Sequence, residues 1–214
     1  MMICPFLPIA AGTLAGDVPK AEPRNRTLLA SKTHVGPTID GRLDDRCWQD
    51  APKATGFTIY SNATELHREP TVGRICFDEE HLYVFFECAV GNRARFKAEL
   101  ADTKGDFQYA KAGVIEVFFD TNRDRSTFQQ YMFHANGSSQ IALTSQDILK
   151  TLSEDLLDVA TLVTETGYNV EAAIPLAVLG LRSDTNPTTW GFNLNRCHAF
   201  LVDGTNEHDK VYSS

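Results

Sequence analysis

From residue 37 onward, apolar residues fall in short runs that are separated by turn residues. The runs are rich in Val, Ile, Phe, Tyr and Thr, the residues that favour β-strands. They cover residues 57–60, 71–77, 81–90, 114–120, 128–135, 140–143, 159–164, 168–174 and 190–200. About eight to ten strands with one or two short helices predict an all-β fold, an antiparallel β-sandwich of immunoglobulin-like or jelly-roll-like type.

One hairpin can be placed in register from its turn. If Glu79-Glu80 is a two-residue turn, Cys76 lies opposite Tyr83 and Cys88 lies opposite Thr71. Cys76 and Cys88 are then too far apart for a disulfide. The second arm, residues 81–90, is apolar at nearly every position, which predicts a central strand with both faces covered.

Three segments between the strands have other patterns. Residues 91–111 are polar and predict a long loop, and such loops are often functional. Residues 145–156 carry Ile and Leu at a helical spacing, which predicts a short helix. Residues 175–181 begin with a proline and suit one helical turn.

The first part of the chain differs from the rest. Residues 1–16 contain no charge, and Ala15-Gly16 resembles a small-residue cleavage site, so an exported protein, secreted or periplasmic, is our expectation. No Lys or Arg precedes this run, and Pro5 and Pro8 interrupt it, so a disordered tail and a misplaced start codon remain alternatives. We expect a leader and linker over residues 1–34 and a single domain over residues 35–214.

Composition narrows the function classes. The 28 acidic and 20 basic residues give a net charge of −8, which argues against nucleic acid or an anionic membrane as the partner. No apolar run reaches the length of a transmembrane helix. The five cysteines match no zinc spacing, and the four beyond the leader are expected to be small buried hydrophobes. Because no hydrolase, phosphate-binding or dinucleotide-binding motif is present, we expect no enzyme activity from this domain.

Five segments in order resemble a known family. They are Ile39-Asp40-Gly41 with Leu43-Asp44-Asp45 and Trp48, residues 77–84, residues 115–120, residues 168–175, and Trp190-Gly191-Phe192-Asn193 with Arg196. Together they resemble the family 9 carbohydrate-binding modules and the wider DOMON-like superfamily of β-sandwiches. The resemblance implies non-catalytic binding of an oligo- or polysaccharide by an accessory module of a secreted polysaccharide-degrading system, with a glycoside hydrolase domain as a partner.

The chain also departs from this family. Members often carry an acidic residue shortly before the glutamate of the third segment, where this chain has Gly113-Val114. Members usually continue into a Trp-containing loop and a final strand, whereas this sequence ends at Ser214. The resemblance therefore implies either a fragment, truncated at its C-terminus, or a divergent member that lacks part of the ligand platform.

Sugar binding needs aromatic faces for the C–H side of a ring and planar polar groups for its hydroxyls. The candidate ligand-binding residues are Tyr60, Arg74, Arg93, Arg95, Phe107, Tyr109 and Asn136. For each of them a structural or solvated role is the alternative. Trp48 and Trp190 lie in motif and strand contexts that favour core anchors instead of stacking platforms.

Two other chemistries remain open. Oxygen-bearing side chains at Asp120, Asn122 and Asp124 resemble the start of a calcium loop, although the glycine and distal glutamate of an EF-hand are missing. The expectation is therefore a solvated turn and no cofactor, with a structural calcium as the alternative. Haem binding by an electron-transfer domain of the same superfamily is an alternative function, but Met132 and His134 would lie side by side on one strand face.

A fragment of a glycoside hydrolase is the second alternative. Glu116 and Glu171 both lie on predicted strands, and a pair of carboxylates can hydrolyse a glycosidic bond. The alternation around each of them is equally consistent with a side chain that points outward from a sheet, and nothing in the sequence brings the two together.

Overall fold

In a computed structural model of the chain, two β-sheets pack face to face. The structure describes residues 27–59, 62–107, 113–145, 148–152, 156–180, 189–201 and 208–213. The helices are α1 (Arg46–Asp50) and α2 (Arg93–Asp102). The strands are β1 (Ser31–Lys32), β2 (Lys53–Ala54), β3 (Thr58–Ile59), β4 (Asn62–Leu66), β5 (Thr71–Phe77), β6 (His81–Ala89), β7 (Val114–Asp120), β8 (Phe128–His134), β9 (Ser139–Ser145), β10 (Ile148–Leu152), β11 (Asp158–Val163), β12 (Gly167–Pro175), β13 (Gly191–Leu201) and β14 (His208–Ser213).

The smaller sheet has six strands. Five follow the order β1-β5-β6-β12-β11, and β2 also pairs with β5. The larger sheet has eight strands, in the order β10-β9-β8-β7-β13-β14-β3-β4. Among the described strands only β1 and β5 pair in parallel. The predicted antiparallel β-sandwich is therefore confirmed. Neither helix of the described part is long and apolar enough to cross a membrane.

The interior between the sheets follows from strand alternation. Side chains two residues apart share a face, so Ile115, Val117 and Phe119 of β7 meet Val84 and Phe86 of β6 in one apolar cluster. The β5–β6 hairpin has the register that its turn predicted, with Cys76 opposite Tyr83 and Thr71 opposite Cys88. This strand order leaves each sheet with an outward face on the side away from the interior.

Two predicted elements are wrong. The loop predicted over residues 91–111 contains helix α2, where the Asn92 side chain caps the first turn by accepting from Arg95 N at 3.1 Å. Phe96 of this helix stacks on Tyr168, with ring centroids 5.0 Å apart. The segment predicted as a helix over residues 145–156 contains the edge strand β10 instead, which pairs with β9 because an apolar run at a sheet edge gains a ladder of backbone hydrogen bonds.

An arginine crosses the interior and links the two sheets. Arg196 of β13 has 1% of its surface exposed. Its Nη2 donates to Ala89 O at 2.8 Å, its Nη1 donates to Thr71 Oγ1 at 3.3 Å, and its guanidinium lies 5.5 Å from the centre of the Tyr168 ring. The charge is buried, but it meets the Glu69 carboxylate at 3.5 Å as well as carbonyl, hydroxyl and aromatic partners, which offsets the loss of water.

The outward face of the six-stranded sheet is covered by residues 36–51, which we call the entry segment. Trp48 in this segment has 1% of its surface exposed and packs on Phe85 with ring centroids 5.4 Å apart. Cys47, Cys76 and Tyr83 complete a second apolar cluster there. The expected role of Trp48 as a core anchor is confirmed.

The entry segment is fastened by the carboxylate of Glu171 on β12. Glu171 Oε2 accepts from Asp40 N at 3.0 Å and from Gly41 N at 2.8 Å, and Oε1 accepts from Trp48 Nε1 at 2.7 Å. Burial raises the pKa of Glu171, while these three donors act in the opposite direction. Gly41 is required because its φ is +79° and a Cβ there would lie 2.9 Å from Leu162 Cβ.

We predict that Glu171→Gln destabilises the fold by about 1–3 kcal/mol. The glutamine NH₂ would face one of the N–H groups that now donate to Glu171, and that N–H group would lose its acceptor. Urea unfolding followed by tryptophan fluorescence measures the change. Glu165→Gln, on the exposed turn between β11 and β12, is the matched control and should change stability by less than about 0.5 kcal/mol. Equal stability of both variants would contradict the fastening role of Glu171.

Candidate functional site

The outward face of the eight-stranded sheet carries planar polar side chains over three neighbouring strands. Glu116 of β7 lies opposite Asn195 of β13, and Phe118 lies opposite both Asn193 of β13 and Gln130 of β8. Because the alternate residues of β7 point into the interior, all five side chains belong to the outward face. We call these five residues, together with Phe128, the outward patch.

One end of the outward patch is deep. Glu116 has 4% of its surface exposed. Its Oε1 accepts from Gln130 Nε2 at 2.7 Å, and its Oε2 accepts from Cys197 Sγ at 3.2 Å. Beside it, the Oδ1 of Asn195 is buried and has no hydrogen-bond donor within reach in the described structure. A buried acceptor without a donor is costly, and a hydroxyl of a bound molecule would remove that cost.

The other end of the outward patch is open and aromatic. Phe118 and Phe128 meet edge to face, with ring centroids 5.7 Å apart. Phe128 has 36% of its surface exposed, and the Asn193 side chain beside Phe118 is also exposed. An exposed aromatic ring next to an amide suits the apolar and polar sides of a sugar ring.

Of the predicted ligand residues, Phe107 lies next to the deep end of this face, and Asn136 supports the segment that leads to it. Phe107 packs against a small cluster that includes Val114 and Met132, and its ring lies 5.9 Å from that of His134. Asn136 does not point at the patch. Its Nδ2 donates to Thr103 Oγ1 at 2.9 Å and to Asp106 O at 2.8 Å, so it holds the segment that leads to Phe107.

The three predicted arginines belong to other elements. Arg74 is buried on the outward face of the six-stranded sheet, where it pairs with Glu87. On α2, Arg93 Nη2 donates to Thr164 O at 2.9 Å and Arg95 pairs with Glu99 at 2.6 Å. Their ligand role stays a prediction. The other two predicted residues, Tyr60 and Tyr109, lie outside the described residues.

The predicted calcium residues form the turn between β7 and β8. Asp124 Oδ2 accepts from Thr127 Oγ1, and Oδ1 accepts from Thr127 N and Ser126 N, all at 2.7 Å. These bonds, the Thr127 hydroxyl first, lower the pKa of Asp124. Asp120 accepts from Asp124 N at 3.2 Å and from Arg125 N at 3.0 Å. The described residues contain no group of three or more His, Cys, Asp or Glu side chains placed to hold a metal. A structural calcium stays the alternative to a turn without an ion.

A shallow pocket of about 480 Å³ lies beside this turn. It is lined by Asp120, Asn122, Arg123, Arg125, Trp190 and Gly191. Trp190 is half-buried and packs edge-on against Phe119 of the interior, with ring centroids 5.8 Å apart. This contact agrees with the expected role of Trp190 as a core anchor.

The described residues do not show the geometry that the two alternative functions, glycoside hydrolysis and haem binding, would need. Glu116 and Glu171 point outward from different sheets, so the whole interior lies between them, and they cannot flank one glycosidic bond. Met132 and His134 share one face of β8, as expected, and His134 Nδ1 accepts from Asn136 N at 3.1 Å. That contact orients the His134 ring toward the neighbouring turn.

The sequence analysis did not predict that Glu116, Gln130 and Asn195 lie together as one group. Strand alternation around Glu116 indicated an outward side chain, but it did not say which side chains of other strands lie beside it. That neighbourhood depends on the register of β7 with β8 and β13, which the long turn at residues 121–127 does not fix.

Comparison with known proteins agrees with this architecture. The chain is 24% identical over 168 residues to endo-1,4-beta-xylanase A of Thermoanaerobacterium saccharolyticum, a match that covers 78% of this chain and 13% of that protein. It is 25% identical over 187 residues to exoglucanase XynX of Acetivibrio thermocellus, which covers 84% of this chain and 14% of that protein. The chain thus spans only a small part of these relatives.

Among solved structures, a carbohydrate-binding module of family 9 from Caldicellulosiruptor kristjanssonii in complex with cellotriose is similar, with a TM-score of 0.58 and 18% identity over 86% of this chain and 82% of that one. This likeness establishes the fold. The family model for carbohydrate family 9 binding domain-like domains matches residues 39–213. The chain therefore belongs to this family of non-catalytic carbohydrate-binding modules.

Proposed function

We propose that the outward patch binds a β-linked gluco- or xylo-oligosaccharide, and that the domain holds a secreted polysaccharide-degrading enzyme on its substrate. The observation that carries the assignment to this face is the buried, unpaired Oδ1 of Asn195 beside the carboxylate of Glu116. The choice of sugar rests on the similar module that was solved with cellotriose and on the similarity to a xylanase and an exoglucanase.

The chemistry of the patch suits a sugar in two ways. At the deep end, sugar hydroxyls donate to Asn195 Oδ1 and to Glu116, which otherwise accepts from Gln130 and Cys197. At the open end, the face of a further ring packs on Phe128, and Asn193 supplies a donor and an acceptor. With few contacts and a solvated open end, we expect dissociation constants on the order of µM to mM.

We predict that Asn195→Ala weakens binding of cellotriose or xylotriose at least about tenfold, because a buried acceptor for a sugar hydroxyl is removed. Isothermal titration calorimetry measures the affinity, and thermal unfolding shows whether the fold persists. Glu116→Gln is a second variant and should weaken binding in the same direction.

Arg95→Gln is the control for this prediction, because Arg95 lies on α2 and pairs with Glu99 instead of facing the patch. It should keep the wild-type affinity. A loss of affinity in Arg95→Gln with none in Asn195→Ala would move the site to the α2 region. Absence of binding to every glycan tested would overturn sugar binding itself.

Phe128 and Phe192 offer a matched pair of surface aromatics, exposed at 36% and 37%. Phe128 lies on the outward face, whereas Phe192 lies opposite Phe119 and so on the interior side of its sheet. We predict that Phe128→Ala lowers the affinity for longer oligosaccharides by about three- to tenfold through lost ring packing, and that Phe192→Ala leaves it unchanged. Calorimetry with cellotriose and cellohexaose compares the two variants. Equal losses in both would contradict a binding role for Phe128.

We predict that added calcium or chelation by EDTA leaves the Tm of the domain unchanged. The carboxylates of Asp120 and Asp124 already accept backbone N–H groups of their own turn, so the turn is closed without an ion. Differential scanning calorimetry in both conditions measures the effect. A Tm that rises with calcium in the wild type but not in Asp124→Asn would instead assign a structural calcium to this turn.

A further inference from the structure

Two thiols meet beneath the entry segment. Cys47 lies on α1, Cys76 lies on β5, and α1 packs against β5. Their exposed fractions are 8% and 0%. Both belong to the apolar cluster that contains Trp48 and Phe85, so the chain on either side of each thiol is held by packing. The two thiols are neighbours within this cluster, since each is among the groups that affect the pKa of the other.

The other described cysteines lie in separate compartments of the fold. Cys88 faces the interior between the sheets, and Cys197 lies on the outward face of the eight-stranded sheet, where it donates to Glu116. Within the part of the chain that the structure describes, Cys47 and Cys76 are thus the one pair that the fold brings together. None of the four described cysteines is in a disulfide in the structure.

We propose that Cys47 and Cys76 form a disulfide when the protein folds in the presence of a disulfide oxidant, and that this bond ties α1 to β5. With oxidised glutathione as the oxidant, the thiolate of Cys47 attacks one glutathione sulfur and releases the first glutathione thiolate. The thiolate of Cys76 then attacks the Cys47 sulfur of the mixed disulfide and releases the second. The protein dithiol loses two electrons and two protons, and oxidised glutathione becomes two molecules of glutathione.

The same burial that brings the thiols together limits when they react. Burial raises the pKa of both Cys47 and Cys76, so few thiolates exist in the folded domain at neutral pH. Oxidation therefore takes place during folding or when the entry segment opens, and the closed segment then protects the bond. The bond closes a loop of about 30 residues, which removes conformations from the unfolded chain and stabilises the fold.

Thiol counting tests the proposal. The wild-type chain, with five cysteines, is refolded with oxidised glutathione or with dithiothreitol, and free thiols are titrated in denaturant. We expect two of the five thiols to be lost only in the oxidised sample, none to be lost in Cys47→Ser, and two still to be lost in the control Cys88→Ala. Trypsin should release residues 47–53 linked to residues 75–93. Since the second peptide contains both Cys76 and Cys88, the control variant identifies the partner.

Thermal unfolding gives a second readout. The oxidised wild type should unfold about 5–10 °C above the reduced wild type, and Cys47→Ser should unfold at the same temperature in both buffers. Five titratable thiols after oxidative refolding would overturn the proposal. So would a linkage that involves Cys88 or Cys197. None of these results depends on glycan binding, so the proposal stands or falls separately from the proposed function.

Discussion

The carboxylate of Glu171 sets the constraint on which the rest of this fold depends. A carboxylate taken out of water costs several kcal/mol unless donors replace the lost solvent. Here all three donors come from the entry segment, two from its Asp40-Gly41 turn and one from Trp48. The segment can therefore follow only one path across the six-stranded sheet, and that path packs Trp48 against Phe85.

The entry segment covers the outward face of the six-stranded sheet, and this limits where a binding site can lie. With the six-stranded sheet covered on both sides, the outward face of the eight-stranded sheet is where rigid strands present polar side chains at an open edge. Glu116 and Glu171 illustrate the difference. Both are glutamates at outward positions of central strands, and both are buried. Glu171 is satisfied by the backbone of its own chain, whereas Glu116 has beside it an amide oxygen that the described structure leaves unpaired.

The sequence predicted the sandwich and one register, but not the site. The β5–β6 register was predictable because its turn is two residues long and fixes which residues face each other. The turn between β7 and β8 is longer and is organised by side-chain bonds from Asp120 and Asp124, which sequence patterns do not reveal. Without that register, Glu116, Gln130 and Asn195 remained three separate polar residues.

Helix α2 was missed for a different reason. Of its ten residues only Phe96 is buried, so no apolar stripe marks it, and the stabilising contact is a tertiary one with Tyr168. Segment 145–156 shows the reverse case, in which a helical spacing of apolar residues was overridden by pairing with β9. Local pattern decides structure where it agrees with burial, and tertiary contacts decide it elsewhere.

A site built on strands also differs in kind from one built on loops. Glu116 and Asn195 lie directly opposite each other on neighbouring strands, which places their backbones about 5 Å apart and fixes that spacing through the ladder. Gln130 adds a third strand on the other side of Glu116 and is already hydrogen-bonded to it. At the proposed site a ligand would therefore find its polar partners in place and would order little of the protein on binding. Ordering side chains on binding costs free energy and so lowers affinity. Because this cost is small at the proposed site, most of the free energy of each hydroxyl contact adds to the affinity.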